Sequence, residues 1–449
     1  MAEERDELNM RRQRREEMRE KQRREQRRLR IAMISAAAVL IACAAGIWFI
    51  ARSSQTAGAQ ASASVQTTAP STRPNFTETT EATTSRRGST QTVIHIRAAG
   101  DLNITNKVVE SGLAATGYDY TRAFMDVAPV LAGADLTVLN LEGNICGEPY
   151  GSARTSAPKE LLDALRCAGV DLVQSANSAT INNGIIGLSS TLKAIRASGL
   201  EPLGAYANTA EFNRSKGFTM CEVNGIRVAF VAFTKGVGGM GLPSGNEKAV
   251  NLLYADYDSE YDEVDRDGIR KLLRTVKAEK PDITIAMLHW GSEYNDAISD
   301  TQESIVSLMQ KEGVNVIIGT HPHLVQRIDF NPAAGTLTAF SLGDFYGDGT
   351  AGGSNYSIIL DVEITKDNLA GTTRVTGYDY TPIYTLRDTQ CDGRYRVVRI
   401  NEAMNAYENN FVDKVTKDCY EDMAYSLTRI EERIAGNASG KKTESNSEK

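Results

Sequence analysis

Two histidines one residue apart, in the run Val-Ile-Ile-Gly-Thr-His-Pro-His, are the residues best placed to do chemistry. They are His321 and His323, two of the four histidines in the chain. The apolar β-branched run before them predicts a strand, and residues two apart at a strand end point to the same side. Pro322 restricts the link between them, so the two imidazoles could share a metal ion or an anion. The alternative is a pair of loop histidines without a ligand, because this spacing alone is a weak metal signal.

Polar side chains with a similar placement follow other predicted strands. These residues are Asp101, Asn140, Glu142, Asn177, His289 and Asp344. In α/β sheets the ligand site lies beyond the carboxyl ends of the strands. We therefore predict that these side chains converge on one site with the two histidines. Turn and helix-cap chemistry is the alternative, since it also favours Asp, Asn and Ser at such positions.

The segments that must position these residues alternate between strand and helix patterns. Strands are predicted at 93–101, 135–142, 170–173, 226–233, 283–289, 314–318 and 338–342, and helices at 158–169, 187–198, 265–279 and 302–312. This alternation predicts an α/β domain over 93–400 whose sheet is buried on both faces. Residues 401–436 are predicted to be a C-terminal helical segment, and 437–449 a disordered polar tail.

The chain before this domain has three compositions. Residues 1–30 are dense in Arg, Lys and Glu, which predicts a solvated charged helix in the cytoplasm; a nucleic-acid-binding arm is the alternative. Residues 31–51 are apolar and uncharged, and their length suits a single transmembrane helix. Residues 52–92 are rich in Ser and Thr, which predicts a flexible stalk.

The Arg-rich flank before the apolar run places the N-terminus in the cytoplasm and the main domain outside the cell. An uncleaved signal-anchor is favoured over a cleaved signal peptide, because the run exceeds a normal h-region and the charged leader is long. Five of the six cysteines follow this run without a Cys-x-x-Cys pair. Disulfides are therefore allowed but not required, and no zinc-cysteine site is expected. No nucleic-acid partner is expected.

Six short motifs occur in order along the predicted domain. They are Gly100-Asp101, Asn140-Leu141-Glu142, Ala176-Asn177-Ser178-Ala179, His289-Trp290-Gly291-Ser292-Glu293-Tyr294, His321-Pro322-His323-Leu324-Val325-Gln326 and Ser341-Leu342-Gly343-Asp344-Phe345. In order and spacing, over residues 93–365, they resemble the CapA-type proteins of poly-γ-glutamate capsule synthesis, which belong to the metallophosphatase-like superfamily. The membrane anchor and the external domain also suit a bacterial cell-surface protein.

The resemblance implies an α/β fold, a metallophosphatase-like two-sheet sandwich flanked by helices and preceded here by the transmembrane helix. In the phosphatase relatives, Asp, Asn and His side chains hold divalent metals that activate water. The candidate metal ligands carried over by position are Asp101, Glu142, His289, His321 and His323. Mixed oxygen and imidazole ligands suit Mn, Fe or Zn. The implied partners are an anionic polymer and membrane-bound capsule synthase subunits.

Four positions depart from the family pattern, and one of them is Asn182, where the pattern has a later Asp. Ala179 stands where the relatives have a His that protonates the leaving oxygen, and loss of a general acid costs roughly 10²–10⁴ in rate. Ser178 replaces an Asn that bridges metals, and Asp344 replaces another Asn. Asn177 and Asp344 are then the remaining candidates for a catalytic role.

Four more residues are candidate ligand contacts. They are Asn140, Trp290, Glu293 and Tyr294. For the two aromatic side chains core packing is the alternative, and for Glu293 it is a solvated loop charge.

Three functions follow from these observations. The first is a membrane-anchored external component that synthesises or exports an anionic capsule polymer. The second is a metal-dependent phosphoesterase or other hydrolase of the cell envelope. The third is a binding member of the fold that has lost catalysis, which is compatible with the first.

Overall fold

The computed structural model describes residues 90–387, 390, 393–409 and 415–436. The predicted cytoplasmic segment (1–30), the predicted transmembrane helix (31–51), nearly all of the predicted stalk and the predicted tail lie outside the described residues. Among the residues that are described, no helix is both long and apolar enough to span a bilayer.

The strands of the described chain form two mixed sheets. The strands are β1 (Gln91–Asn103), β2 (Leu136–Glu142), β3 (Leu172–Gln174), β4 (Glu201–Leu203), β5 (Thr219–Val223), β6 (Ile226–Thr234), β7 (Ile283–His289), β8 (Val316–Thr320), β9 (Ile328–Asn331), β10 (Thr336–Ala339), β11 (Asp344–Tyr346), β12 (Tyr356–Asp367), β13 (Thr372–Leu386) and β14 (Arg396–Arg399). The eight-stranded sheet has the order β14-β13-β12-β1-β2-β3-β4, with β11 also paired to β1. The six-stranded sheet has the order β5-β6-β7-β8-β10-β9.

The helices lie mainly in the connections between strands. They are α1 (Asn106–Ser111), α2 (Thr121–Phe124), α3 (Ala128–Leu131), α4 (Glu160–Cys167), α5 (Gly184–Ala197), α6 (Thr209–Ser215), α7 (Arg266–Ala278), α8 (Asp300–Lys311), α9 (Ile400–Glu408) and α10 (Lys417–Ile434). Helix α8 begins with a capping box, in which Ser299 and Gln302 each accept a hydrogen bond from the other's backbone N–H. Such a cap satisfies two amide groups that a helix N-terminus otherwise leaves unpaired.

Successive side chains along a strand point to opposite faces of the sheet. Both faces of each sheet carry apolar side chains here, so both are buried. Ile94 and Ile96 of β1 share one core with Val228 and Phe230 of β6, which places that core between the sheets. The opposite face of the eight-stranded sheet packs against α1, α2 and α4. The opposite face of the six-stranded sheet packs against α7 and α8. The domain is therefore a mixed α/β sandwich of two sheets flanked by helices.

The structure alters several of the expected boundaries. Strand β1 begins at Gln91, two residues before the predicted start of the domain. Asp344 is the first residue of β11, not a residue beyond the end of a strand, and it lies opposite Asp101 in a parallel pairing. The segment predicted as C-terminal helical contains α9 and α10. The four described cysteines outside the apolar run are unpaired thiols.

Candidate metal centre

The five candidate metal ligands are gathered at one end of the sandwich, and all five are buried. Asp101 lies near the end of β1 and Glu142 ends β2, so the eight-stranded sheet supplies the carboxylates. His289 ends β7, and the other two histidines follow β8, so the six-stranded sheet supplies the imidazoles. His289 Nε2 lies 3.4 Å from Glu142 Oε1, and His323 Nδ1 lies 3.7 Å from Asp101 Oδ2. The predicted convergence of the strand-end side chains is therefore present in the fold.

Three of these residues form a group that could hold a metal ion. Ligand atoms of Glu142, His289 and His321 lie within 4.8 Å of one another. Glu142 Oε2, His289 Nε2 and His321 Nδ1 are buried and have no hydrogen-bond partner among the described residues. Burying such acceptors without a partner is costly, and a divalent cation would satisfy all three. One carboxylate and two imidazoles also form a recognised three-ligand set for a catalytic metal. The cluster is therefore compatible with a divalent metal site.

A threonine that the sequence did not single out orients one of these rings. Thr320 Oγ1 lies 3.1 Å from His289 Nδ1 and donates to the Leu288 carbonyl at 3.5 Å. Asn140 Nδ2 lies 3.4 Å from the same nitrogen. In the tautomer whose Nδ1 donates to the Thr320 hydroxyl, the lone pair of the ring is on Nε2. That lone pair faces Glu142. Fixing a ring in this way is a usual role of residues behind a metal ligand.

The second group of candidate ligands is already paired within itself. His323 Nδ1 lies 2.7 Å from Asp344 Oδ1, and Asp101 completes the group. Asp101 Oδ1 accepts from Asn140 Nδ2 at 2.6 Å, and its Oδ2 accepts from the backbone N–H of His321 at 2.9 Å. These contacts hold Asp101 in place. His323 and Asp344 form an ion pair beside the group of Glu142, His289 and His321. The arrangement thus has one group with unpaired acceptors and one that is internally satisfied.

Burial and neighbouring charges give the histidines different pKa values. Burial holds the pKa of His321 well below its usual value, and the neighbouring His289 lowers it further. Burial also opposes protonation of His323, but the carboxylates of Asp344, Glu142 and Asp101 outweigh it and raise the pKa to about 11. For Asp101, burial raises the pKa, and His323 opposes that effect. His321 is thus the neutral imidazole of the pair at neutral pH, the form that binds metals.

The backbone of the His-Pro-His turn is left-handed at both histidines. His321 has a φ of +94° and His323 a φ of +58°. Residues other than glycine rarely adopt this region of backbone conformation, and such strained residues are concentrated at functional sites. The explanation from strand alternation was therefore wrong, because β8 ends at Thr320 and both rings lie in the turn beyond it. Their centroids are nonetheless only 6.0 Å apart.

Asn177 supports the site instead of reaching into it. Its Nδ2 donates to Asn140 Oδ1 at 3.0 Å and to the Leu141 carbonyl at 2.7 Å. Its Oδ1 accepts from the backbone N–H of Ala179 at 3.1 Å. Asn140 in turn donates to Asp101, so the two amides form a relay behind the carboxylates. Ala179 is buried and offers no proton donor at its position.

The predicted ligand contacts divide into core and rim. Trp290 is fully buried, stacks on Phe340 and donates from Nε1 to the Phe340 carbonyl at 2.9 Å, so it is a core residue and not a ligand contact. Tyr294 is half exposed and stacks on His323 with ring centroids 5.2 Å apart. Glu293 is exposed, and its carboxylate can join His321 and His323 in a third group of ligand atoms. Glu293 and Tyr294 therefore lie at the rim of the cluster.

Two more side chains complete the surroundings. Ser178 donates from its hydroxyl to Glu142 Oε1, so the residue that replaces an amide still positions a carboxylate. Lys235, directly after β6, donates from Nζ to the Gly291 carbonyl at 2.8 Å. Burial lowers its pKa, and the nearby Glu293 and Glu142 oppose that effect. The only sequence signal for Lys235 was its place after a strand next to the one that carries His289.

Comparison with known proteins identifies what the chain is similar to. Residues 95–349 match the family described as bacterial capsule synthesis protein PGA_cap. The capsule biosynthesis protein CapA of Bacillus anthracis is 29% identical over 242 residues, which span 52% of this chain and 54% of that protein. The PGA biosynthesis protein CapA of Bacillus subtilis (strain 168) is 25% identical over 297 residues, 65% of this chain and 71% of that protein. The first match thus spans about half of the relative's length.

Solved structures show a more distant likeness. A calcineurin-like phosphoesterase from Bacillus subtilis aligns over 65% of this chain and 90% of its own, with 17% identity and a TM-score of 0.39. A likeness at this level does not assign an activity. The matched family region, by contrast, encloses every candidate metal ligand and every residue of the relay behind them.

Proposed function

The chain belongs to the bacterial capsule synthesis protein family, and we propose on that premise that it takes part in making or exporting an anionic capsule polymer of the poly-γ-glutamate type. The observation that carries the proposal is the family match over residues 95–349, because it contains the whole buried cluster of carboxylates and imidazoles. The names of the two Bacillus relatives agree with it.

We further propose that the domain works outside the cell, held by the apolar run at residues 31–51. The Arg-rich flank and the polar stalk support this placement. A polymer leaving the membrane would then meet the domain at the surface. Membrane-bound capsule synthase subunits are its proposed partners.

The proposed metal is Mn, Fe or Zn, and Glu142, His289 and His321 are the residues that would hold it. The unpaired buried acceptors of these three residues support the assignment, and the mixed oxygen and nitrogen donors suit these metals. When bound, such an ion polarises a phosphoryl or carbonyl oxygen and lowers the pKa of water. Thr320 and Ser178 keep two of the ligands aligned, and the Asn140–Asn177 relay keeps Asp101 in place. We propose that the domain has a metallophosphatase-like fold and uses the metal in making or exporting the capsule polymer.

A gene deletion tests the proposed function. Cells without the protein should lose surface polyglutamate, and the unmodified gene should restore it. A gene carrying His321→Ala should fail to restore it. His95→Ala should succeed, because His95 lies on β1 and pairs with Asp361 of β12 outside the cluster. An unchanged polymer level in the deletion strain would contradict the proposal.

A metal-dependent hydrolase is the second candidate, and the open group of Glu142, His289 and His321 favours it. The purified protein with Mn²⁺ would then cleave generic phosphodiesters, and His321→Ala would abolish the turnover. The buried Ala179 favours instead a binding member of the fold that has lost catalysis. Metal-dependent turnover by the unmodified protein would rule out that third candidate.

A further inference from the structure

A polar cavity lies behind the loop that follows β7. Its volume is about 180 Å³. The residues that line it are Asp296, Ala297, Ile298, Glu303, Gln326, Arg327, Arg433 and Gly436. None of the candidate metal ligands is among them, although Gln326 ends the His-Pro-His motif. The cavity is therefore a separate place from the metal centre.

Two deeply buried side chains of this cavity have polar atoms without a partner. Gln326 is 1% exposed; its Nε2 donates to the Asn295 carbonyl at 2.9 Å, and its Oε1 has no partner in the described part of the chain. Arg433 is 7% exposed and donates from Nη1 to the Tyr356 hydroxyl at 3.0 Å. Its Nε lies 3.7 Å from Asp296 Oδ2, which is beyond hydrogen-bond distance. Buried polar atoms of native proteins nearly always have partners, so each of these atoms leaves a hydrogen bond that a ligand could complete.

Two arginines and two carboxylates line the cavity, and Arg433 is the arginine with the weaker ion pairing. Arg327 is already balanced, since it pairs with Glu303 at 3.0 Å and with Asp329 at 2.9 Å. Arg433 faces the carboxylate of Asp296 only at the longer distance. The guanidinium of Arg433 is thus the less neutralised of the two, and it is also the more deeply buried.

The unpaired atoms require opposite groups on the ligand. Arg433 Nε needs an acceptor, best a carboxylate oxygen, and Gln326 Oε1 needs an N–H donor. The cavity is roughly ten times larger than the 10–15 Å³ that one water molecule needs, so it has room for a small organic molecule. We propose that it binds an acylated amino acid, with the carboxylate on Arg433 and the amide N–H on Gln326.

A γ-linked glutamate unit carries both of these groups. The cavity would then hold one unit of the polymer beside the metal centre, and this choice of physiological ligand rests on the proposed function. The binding itself does not, because it is measured on the purified protein with a simple probe. The prediction about polymer on the cell surface and the prediction about binding in the cavity can therefore fail independently of each other.

Calorimetric titration of the purified full-length protein with N-acetylglutamate tests the inference. Acetate, which lacks the amide, and N-methylacetamide, which lacks the carboxylate, should each bind at least ten-fold more weakly. Gln326→Met and Arg433→Met should each weaken N-acetylglutamate binding by at least ten-fold. Arg429→Met is the matched control, because Arg429 lies on the same helix, pairs with Glu432 and does not line the cavity.

Three results would overturn the inference. They are no saturable binding of N-acetylglutamate, equal binding of acetate alone, and undiminished binding by both cavity variants. Thermal melting shows whether each variant is folded. If Arg433→Met does not fold, Gln326→Met decides, because it leaves the contact between Arg433 and Tyr356 in place.

Discussion

At the scale of single residues, the surroundings of each ring decide what the site histidines can do. His289 has its Nδ1 bonded to Thr320, and His321 has an unpaired Nδ1 in a site that disfavours its protonation. His323 is instead held by Asp344 as an ion pair. Two of the three imidazoles therefore offer a lone pair, and the third offers a charge. This difference separates the proposed ligands from the group that supports them.

Replacing His321 by Ala should remove a metal ligand without emptying a large part of the core. We expect Zn²⁺ or Mn²⁺ affinity to fall by more than about 100-fold, since loss of a mere supporting residue already costs about 10–100-fold. Titration calorimetry on the metal-depleted protein measures this. His95→Ala is the control, because its ring is 43% exposed and pairs with Asp361 away from the cluster. An equal loss in both variants would contradict the assignment.

Replacing Asn177 by Ala should lower the stability of the domain and weaken the positioning of Asp101. The Oδ1 of Asn140 and the Leu141 carbonyl would lose their donors in a buried site, which costs about 1–3 kcal/mol. Chemical denaturation should show this loss, together with a smaller fall in metal affinity than for His321→Ala. The matched control is Asn182→Ala, since the side chain of Asn182 is exposed and donates to the Thr155 hydroxyl at the surface. A stability of Asn177→Ala equal to that of Asn182→Ala would show that the relay has no structural role.

At the scale of elements, β8 can deliver the His-Pro-His turn only because Gly319 has no side chain. A Cβ there would overlap the Phe340 carbonyl oxygen and come within 2.6 Å of Trp290 Nε1. Those are the two atoms of the hydrogen bond that anchors Trp290 in the core. The glycine thus lets the strand end lie against the core while the histidines face the site.

Gly319→Ala should therefore destabilise the domain by about 1–3 kcal/mol or more, as overpacking of a core does. The change is measured by urea unfolding at fixed pH. Gly377→Ala on β13 is the matched control, because a Cβ there meets nothing closer than 3.9 Å. That variant should be near neutral. A Gly319→Ala protein as stable as the control would mean that the strand end can shift without cost.

Some of these features could be predicted from the sequence, and others depend on contacts that it does not show. The shared edge of parallel strands accounts for the prediction that Asp101 and Glu142 meet, because both follow strands of one sheet. His289 belongs to the other sheet, and it joins them through the packing of the two sheets, which the strand pattern does not show. The left-handed turn at His321 leaves no signature in a non-glycine residue. Trp290 was misplaced, since a core tryptophan and a stacking platform look alike in sequence. Thr320 and Lys235 were missed because a single residue after a strand forms no pattern.

At the scale of the whole molecule, the proposed metal would join two sheets that come from distant parts of the chain. Glu142 belongs to the eight-stranded sheet, whereas His289 and His321 belong to the six-stranded sheet and the turn that follows it. The ligands are brought together only when the sandwich is assembled. An ion that binds the folded state and not the unfolded chain stabilises the fold by mass action.

Metal depletion should therefore lower the melting temperature of the whole domain. Free metal at 100 times its Kd adds about 2.7 kcal/mol, which corresponds to several degrees for a domain of this size. Calorimetric scans after chelation, and then with Mn²⁺ or Zn²⁺ restored, measure the change. His95→Ala should regain the full increase and His321→Ala should regain none. If His321→Ala protein were stabilised as much as the unmodified chain, the ion would have to bind elsewhere, and the two sheets would not be joined at this cluster.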